Sequence, residues 1–473
     1  MHEIPSLPAP EAIPAGYKLL AWEGVGLYVP QRWEMGRHEG DHKRGLFRVD
    51  DESRVVIQAR WWTAERPVPI DDLVRRHVGT VHGHKSGLPP RFSRMEGLGL
   101  TPGADERAVA FEADVKSERT SADREILVVW QKPSVRRVLL LRFLVESGQP
   151  GLECIRTMLA GLRLQGATEA RDFAALDFAV HCPPGYALDK GHLKAGICYL
   201  EFRQGRRRLA LRRFSAANAV MGIETPCLDD LERWCRKTYA TEFHDMRYEV
   251  RRATDPSGRP LLRLTGRRRL LAPIEMRWLL PRHRRLPKRI DIIWDPAANK
   301  IYCVELLRPK VDFEATVAAF ERSLRMTLGE ERRTGGGRKE NEADPGLPES
   351  AKQRLRSLRA RVQRSDSASV ERLENGRMVL GYKVERPRRL RFLRLIGGLP
   401  AGPEQQLKKV ELDLIGTLVW EECGRNRRVC EIIDLVRDRF RISHREAELS
   451  VTEFIRGLGT RGLLAVVLER DPA

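Results

Sequence analysis

The first residues whose types could do chemistry are His38-Glu39-Gly40-Asp41-His42, a letter-for-letter His-Glu-x-x-His zinc-hydrolase pattern. On a helix that spacing turns both imidazoles toward one metal and leaves the glutamate to polarise a water. Here Arg37, Gly40 and Asp41 surround the histidines and no apolar residue recurs at helical spacing, so a solvated loop between two strands is expected. The corresponding place further along, Lys190-Gly191-His192-Leu193, keeps none of the constellation. His82-Gly83-His84 has no Cys or Asp near it and reads as surface. No Gly-x-Gly-x-x-Gly follows a strand, no Gly-Lys-Ser/Thr loop offers a phosphate cradle, and no Gly-x-Ser-x-Gly elbow occurs. Asp71-Asp72 and Asp229-Asp230 suit the first turns of helices, where the positive end of the dipole favours carboxylates. The eight cysteines, at 154, 182, 198, 227, 235, 303, 423 and 430, form no Cys-x-x-Cys pair, as expected of reduced thiols in the cytoplasm. No catalytic residue, metal site or cofactor is expected, and the chain does not read as an enzyme.

Charge is the other chemical signal. A formal net charge of +20 and a pI near 9.9 favour acidic partners: nucleic acid, an anionic membrane surface or an acidic peptide. Arg206-Arg207-Arg208, Arg212-Arg213, Arg267-Arg268-Arg269 and Arg282-His283-Arg284-Arg285 would track phosphates if they converged, and would otherwise be scattered surface arginines. Trp33, Trp61, Trp62 and Trp130 sit at core-like strand positions, which does not support base stacking. Met1 to Gly16 lacks the apolar core of a signal peptide, and no run nears the ~18 apolar residues of a membrane helix. A soluble cytoplasmic protein is expected. Phe392 to Leu399, apolar among arginines, is expected to pack as a loop or hairpin arm rather than touch a membrane.

The elements that carry these residues fall into a repeat. Val25 to Met35 and Phe178 to Leu188 are each an alternating strand stopped by a proline (Pro30, Pro183) and followed by an aromatic (Trp33, Tyr186). Paired strands follow, 46–49 with 55–62 and 197–202 with 209–214, then helices opening at Ile70 and Leu228. Ile126 to Gln131 with Trp130 is echoed by Ile290 to Asp295 with Trp294. Second strands follow at 138–145 and 301–307, and closing helices at 152–162 and 313–324. The fold class expected is α+β: a disordered start (1–16), two tandem antiparallel-sheet domains with a strongly bent sheet (about 17–166 and 172–327), a mobile linker (329–366) and a winged-helix-like C-terminal domain (367–473). Ala351 to Gln363 suits a basic helix carrying Leu355, Leu358 and Val362. The strand–Pro–aromatic opening resembles that of the PsbP-like α/β/α domains.

In the last quarter, strands 370–373 and 377–384 flank Glu374-Asn375-Gly376, a hairpin signal because Asn-Gly tolerates positive φ twice. A strand at 407–412 places Val410 and Leu412 on one face, Lys409 and Glu411 on the other. Asp413 can cap a helix carrying Leu414, Ile415, Leu418, Val419 and Cys423. A second helix carries Val429, Ile432, Ile433, Val436 and Phe440, and Ser443 with Glu446 forms a capping box for a third. A closing strand follows near 463–468.

These residues resemble the PqqD-like domains, also called RiPP recognition elements. The resemblance rests on Val-Glu-Leu-Asp-Leu-Ile-Gly-Thr-Leu-Val-Trp-Glu-Glu-Cys-Gly (410–424), Arg-Arg-Val-Cys-Glu-Ile-Ile (427–433) and Val-Thr-Glu-Phe-Ile-Arg-Gly-Leu-Gly-Thr-Arg-Gly-Leu-Leu (451–464). The family's turn after the first helix has an Asp that is missing here, where Cys423 runs straight into Gly424, and Arg428 replaces the usual Thr. The resemblance implies a three-stranded sheet on three helices, with no catalysis. A leader segment of a precursor peptide would lie along the open sheet edge, by strand addition. By position the edge strand is Leu407, Lys408, Lys409, Val410, Glu411 and Leu412, its lysines attracting acidic leader residues. Glu448, Val451, Thr452 and Ile455 would face it from the third helix. The implied partners are a precursor peptide and a modification enzyme, for example of radical SAM type, as in pyrroloquinoline quinone (PQQ) or RiPP biosynthesis, with the repeats as scaffold. The alternatives are a basic winged-helix nucleic-acid binder, against which Glu446, Glu448 and Glu453 on the third helix argue, and a scaffold without peptide binding.

Overall fold

The computed structural model describes residues 13–51, 54–81, 92–114, 124–146, 149–194, 196–240, 246–255, 258–268, 288–307, 325–326, 354, 356–365, 368–373, 377–385 and 405–467. The expectations for His82 and His84, Arg269 and Arg282–Arg285, the helix at 313–324, most of the linker, the Asn375-Gly376 turn and Phe392–Leu399 lie outside these residues. The protein is α+β and its sheets are antiparallel.

One seven-stranded sheet runs in the spatial order Glu34–Gly40, Arg44–Asp50, Val55–Thr63, Arg137–Val145, Arg124–Lys132, Arg107–Asp114, Ser93–Met95. A second has the same order: Ala187–Lys194, Ile197–Gln204, Arg207–Ser215, Lys300–Leu307, Lys288–Asp295, Pro260–Arg268, Met246–Thr254. Each central strand alternates between two apolar faces. Leu139, Leu141 and Phe143 point into the inner core, while Val138 and Leu140 meet Leu73 and Val74 of the helix Ile70–Val81.

A six-stranded sheet joins the two halves in the order Arg163–Leu164, Val25–Pro30, Tyr17–Trp22, Arg171–Ala175, Phe178–Cys182, Arg325–Met326. The order is a palindrome about the Ala21–Ala174 pair. Side chains follow the same symmetry: Lys18 Nζ donates to Leu176 O at 3.4 Å, and Arg171 Nη1 reaches Glu23 Oε2 at 2.8 Å. Both acceptors belong to left-handed hairpin turns, Glu23 (φ 51°) with Gly24 (φ 78°), and Leu176 (φ 56°). A side chain at Gly24 would also collide with Arg137 Nη1, at 2.8 Å from its Cβ.

Two independent cores are not what forms. A single apolar cluster takes Phe47, Trp61 and Leu141 from the first half and Phe202, Leu211 and Val304 from the second, joined through Trp22 and Phe173 of the shared sheet. The sequence echo of Trp130 with Trp294 also slips by one residue. Trp130 pairs with Leu139 and points into the shared core, whereas Trp294 pairs with Ile301 and points to the helix side with Trp234. Because side chains alternate, a one-residue slip puts the two indoles on opposite faces.

The C-terminal body has its own core and contains strands β1 (Arg361–Arg364), β2 (Ser369–Arg372), β3 (Met378–Glu385) and β4 (Gln405–Leu412). Helices α1 (Leu414–Cys423), α2 (Val429–Phe440) and α3 (His444–Gly459) follow, then strand β5 (Leu464–Val467). The expected linker ends inside this body. Residues 356–359 are helical, and β1 pairs antiparallel with β5 and buries Val362 completely, beside buried Leu358 and Ala360. The arginines of 351–364 hid this strand. Alternate residues of a two-stranded ribbon face water, so its apolar signal is a single valine.

Candidate functional site

The histidine motif forms no site. His38 lies in the strand Glu34–Gly40 and His42 in the turn after it, so the segment is a hairpin rather than a loop, and the residues never share a helix face. Both imidazoles are half-buried: His38 packs at a tilt against Trp22 with ring centroids 4.1 Å apart, and His42 Nδ1 lies 3.3 Å from Glu23 O. Burial, with the Arg137 and Arg171 charges, pushes His42 down to about 4. Glu39 pairs with Arg37. No group of acidic, histidine and cysteine residues suited to a metal occurs among the described residues, and all eight cysteines are free thiols.

Three arginines of the second half are engaged by the protein's own side chains. Arg208 donates to Tyr199 Oη at 2.8 Å and pairs with Glu201, and Arg212 pairs with Glu305 at 2.7 Å. Arg213 is buried outright. These three neutralise the protein's own carboxylates and form no outward phosphate track.

The candidate site is the border of the C-terminal sheet. The three strands run β2-β3-β4, with β4 paired to β3 from Met378–Leu412 to Glu385–Gln405. Among the described residues no strand pairs with the other side of β4. Val410 and Leu412 turn toward the helices, Leu412 fully and Val410 in part. Leu407, Lys409 and Glu411 face outward, and Leu407 is the most exposed large apolar side chain of the described residues, at 58%. Lys408 is exposed as well. Lys409 Nζ lies 3.3 Å from Glu371, and Arg377 lies 3.1 Å from Glu411. Asp413 ends the strand and caps α1, its Oδ1 accepting from Gly416 N at 2.7 Å. Gly416 is required by packing: a Cβ there would stand 2.8 Å from the Phe454 ring of α3.

The helix residues expected to face this border are placed elsewhere. Val451 and Ile455 belong to the core. Glu448 is buried and held bidentately by Arg354, at 2.9 and 2.6 Å. Thr452 is half-buried, and its hydroxyl donates back to Glu448 O at 2.7 Å. The described site is therefore the strand alone.

What the sequence concealed is how this body is seated. Glu446 closes the α3 capping box, its Oε2 accepting from Ser443 N at 3.1 Å. The same carboxylate receives Arg213 Nη1 at 2.8 Å and the Ser215 hydroxyl at 2.5 Å, across the boundary with the second seven-stranded sheet. Arg213 Nε also faces Asp177 Oδ1 at 2.5 Å, and Asp177 pairs with Lys300. Asn299 Nδ2 donates to Phe440 O at 3.0 Å, and Ala216 and Ala219 join the C-terminal core. One signal pointed there: Arg213 interrupts the inward apolar series Leu209, Leu211.

Residues 404–464 match the family model described as Coenzyme PQQ synthesis protein D (PqqD). This segment is a PqqD-family domain. The match spans β4 to the start of β5 and stops short of both seven-stranded sheets, so it lends no support to a PsbP-like likeness there. No curated protein matches the chain significantly. PqqD-family domains are non-catalytic recognition elements, which gives this segment a PQQ- or RiPP-related peptide-recognition role at the family level. Among the described residues no helix is long and apolar enough to cross a membrane.

Proposed function

We propose that the chain is a non-catalytic cytoplasmic protein that binds a precursor peptide by strand addition along β4 and presents it to a modification enzyme, for example of radical SAM type. The carrying observation is the strand order β2-β3-β4, in which no described residue pairs with the outer row of β4 backbone groups. We read the two like-ordered sheets as repeats over about 17–166 and 172–327, serving as the platform on which the PqqD domain is held. The nucleic-acid reading has less support, because Glu446 and Glu448 on α3 are buried in ion pairs and Glu446 is turned against the second sheet.

Peptides encoded by short reading frames beside the gene, titrated into the full-length protein by fluorescence anisotropy, test the proposal. Methylating the backbone nitrogens of alternate peptide residues should abolish binding in one phase and spare it in the other. Equal affinity for both methylated series would exclude strand addition.

A further inference from the structure

Resting on that reading, we infer that the outward face of β4 selects a peptide carrying an apolar and an acidic residue two positions apart, set opposite Leu407 and Lys409.

The geometry behind this begins at Gly381 in the middle strand. It pairs with Lys409 on one side and Ser369 on the other. A Cβ at Gly381 would stand 2.4 Å from Ser369 Oγ and 3.8 Å from Leu407 Cδ1. The missing side chain leaves a shallow floor onto which Leu407 leans and across which Lys409 and Glu371 meet at 3.3 Å. Leu407 nevertheless remains more than half exposed, because β4 is the last strand and nothing described flanks it. An incoming strand would supply the missing neighbour. Directly opposed side chains on one sheet face lie close enough to interact, so an apolar residue opposite Leu407 would cover it, and like charges opposite Lys409 would repel. Lys409 can take a second carboxylate because its ammonium has three donors and the Glu371 contact is solvent-exposed on both sides. Lys408, one residue away, points to the opposite face and does not take part.

The test uses the full-length protein and labelled nine-residue peptides differing at three central positions: Leu-x-Glu, Glu-x-Leu, their lysine counterparts Leu-x-Lys and Lys-x-Leu, and the composition isomer Leu-Glu-x. One of the first two should bind about fivefold more tightly than its lysine counterpart and than the isomer. Its order would give the direction of the added strand. Lys409→Glu should reverse the preference in favour of the lysine counterpart of the winning order, Leu-x-Lys or Lys-x-Leu, whereas Lys408→Glu, with the same change in net charge, should leave the ranking as it was. If all five peptides bind alike, or Lys408→Glu and Lys409→Glu act alike, the spacing inference is wrong while strand addition stands. If none binds and none competes with a gene-neighbour peptide that does, the face inference alone fails. If no peptide of either kind binds, both fail.

Discussion

Arg213 and Glu446, 233 residues apart in the chain, form a buried ion pair that is also the start of a helix. The glutamate caps α3 through Oε2 while both its oxygens accept from the guanidinium, so the seating of the PqqD domain and the folding of its third helix share one carboxylate. Burial alone would raise this acid, but the Arg213 charge and its hydrogen bonds outweigh that and hold it well below the usual carboxylate range.

Removing one partner should therefore cost much more than removing both. Arg213→Ala leaves Glu446 and Asp177 facing Lys300 alone, and a loss of about 3–5 kcal/mol in urea denaturation is expected. Arg213→Met combined with Glu446→Leu keeps the Asp177–Lys300 pair and should recover most of it. A double variant as unstable as Arg213→Ala would show that the charge pair itself is what holds the seat.

The pH response of the same pair has a definite sign. A depressed carboxylate contributes stability above its unfolded value, near 4.3, and that contribution falls away as the pH drops through the lower folded value. The domain should thus stay seated through mild acid and separate only in strong acid. Intrinsic fluorescence across an acid titration, compared with Glu446→Gln, measures it.

Glu23 should behave in the opposite sense. Burial pushes its carboxyl up to about 7, with Arg171 and Arg137 offsetting only part of the effect. A raised pKa adds stability that is complete below the unfolded value and is lost as pH rises toward 7. Glu23→Gln should flatten that decline between about pH 4.5 and 7. Subtracting the two stability curves cancels neighbouring His42, which titrates the other way. A variant curve parallel to the parent's would contradict the assignment.

Gly416→Ala drives a methyl against the Phe454 ring and should destabilise the C-terminal body by about 1–3 kcal/mol. Adding Phe454→Ala removes the obstacle, so the double variant should lose less than the sum of the two single losses.

A fragment of residues 367–473 should fold poorly, because it lacks β1, whose Val362 is in the core and whose Arg364 lies over Trp420 at 4.9 Å and donates to its carbonyl at 2.6 Å. A fragment from residue 351 restores those contacts. Trp420 is the only tryptophan beyond residue 366, so its emission maximum reports on both directly.

Local signals were legible where one face of one element decided the outcome. The Ser443–Glu446 box, the Asp413 cap, the stripe of α2 and most strands of both large sheets were read from spacing alone. Pairings between distant segments were not. The Ala21–Ala174 seam and the β1–β5 ribbon each join residues roughly a hundred or more positions apart, and neither leaves a periodicity. The burial of Glu448 is hidden for a related reason. A buried glutamate looks like a surface one until its partner, Arg354, is known.

The palindromic sheet has one further consequence. Strand pairing puts Trp61 of the first half where the second half has Arg213: Thr63 pairs with Arg137 as Ser215 pairs with Lys300, two residues on in each case. Trp61 is sealed beneath Arg137 and donates to Asp41 O at 2.9 Å, so that flank is plugged by an indole and offers no cation to a helix start. A strictly twofold particle would carry two berths and two readers. Among the described residues only the second half offers such a berth, so the C-terminal domain is seated on one side of the pseudo-twofold sheet.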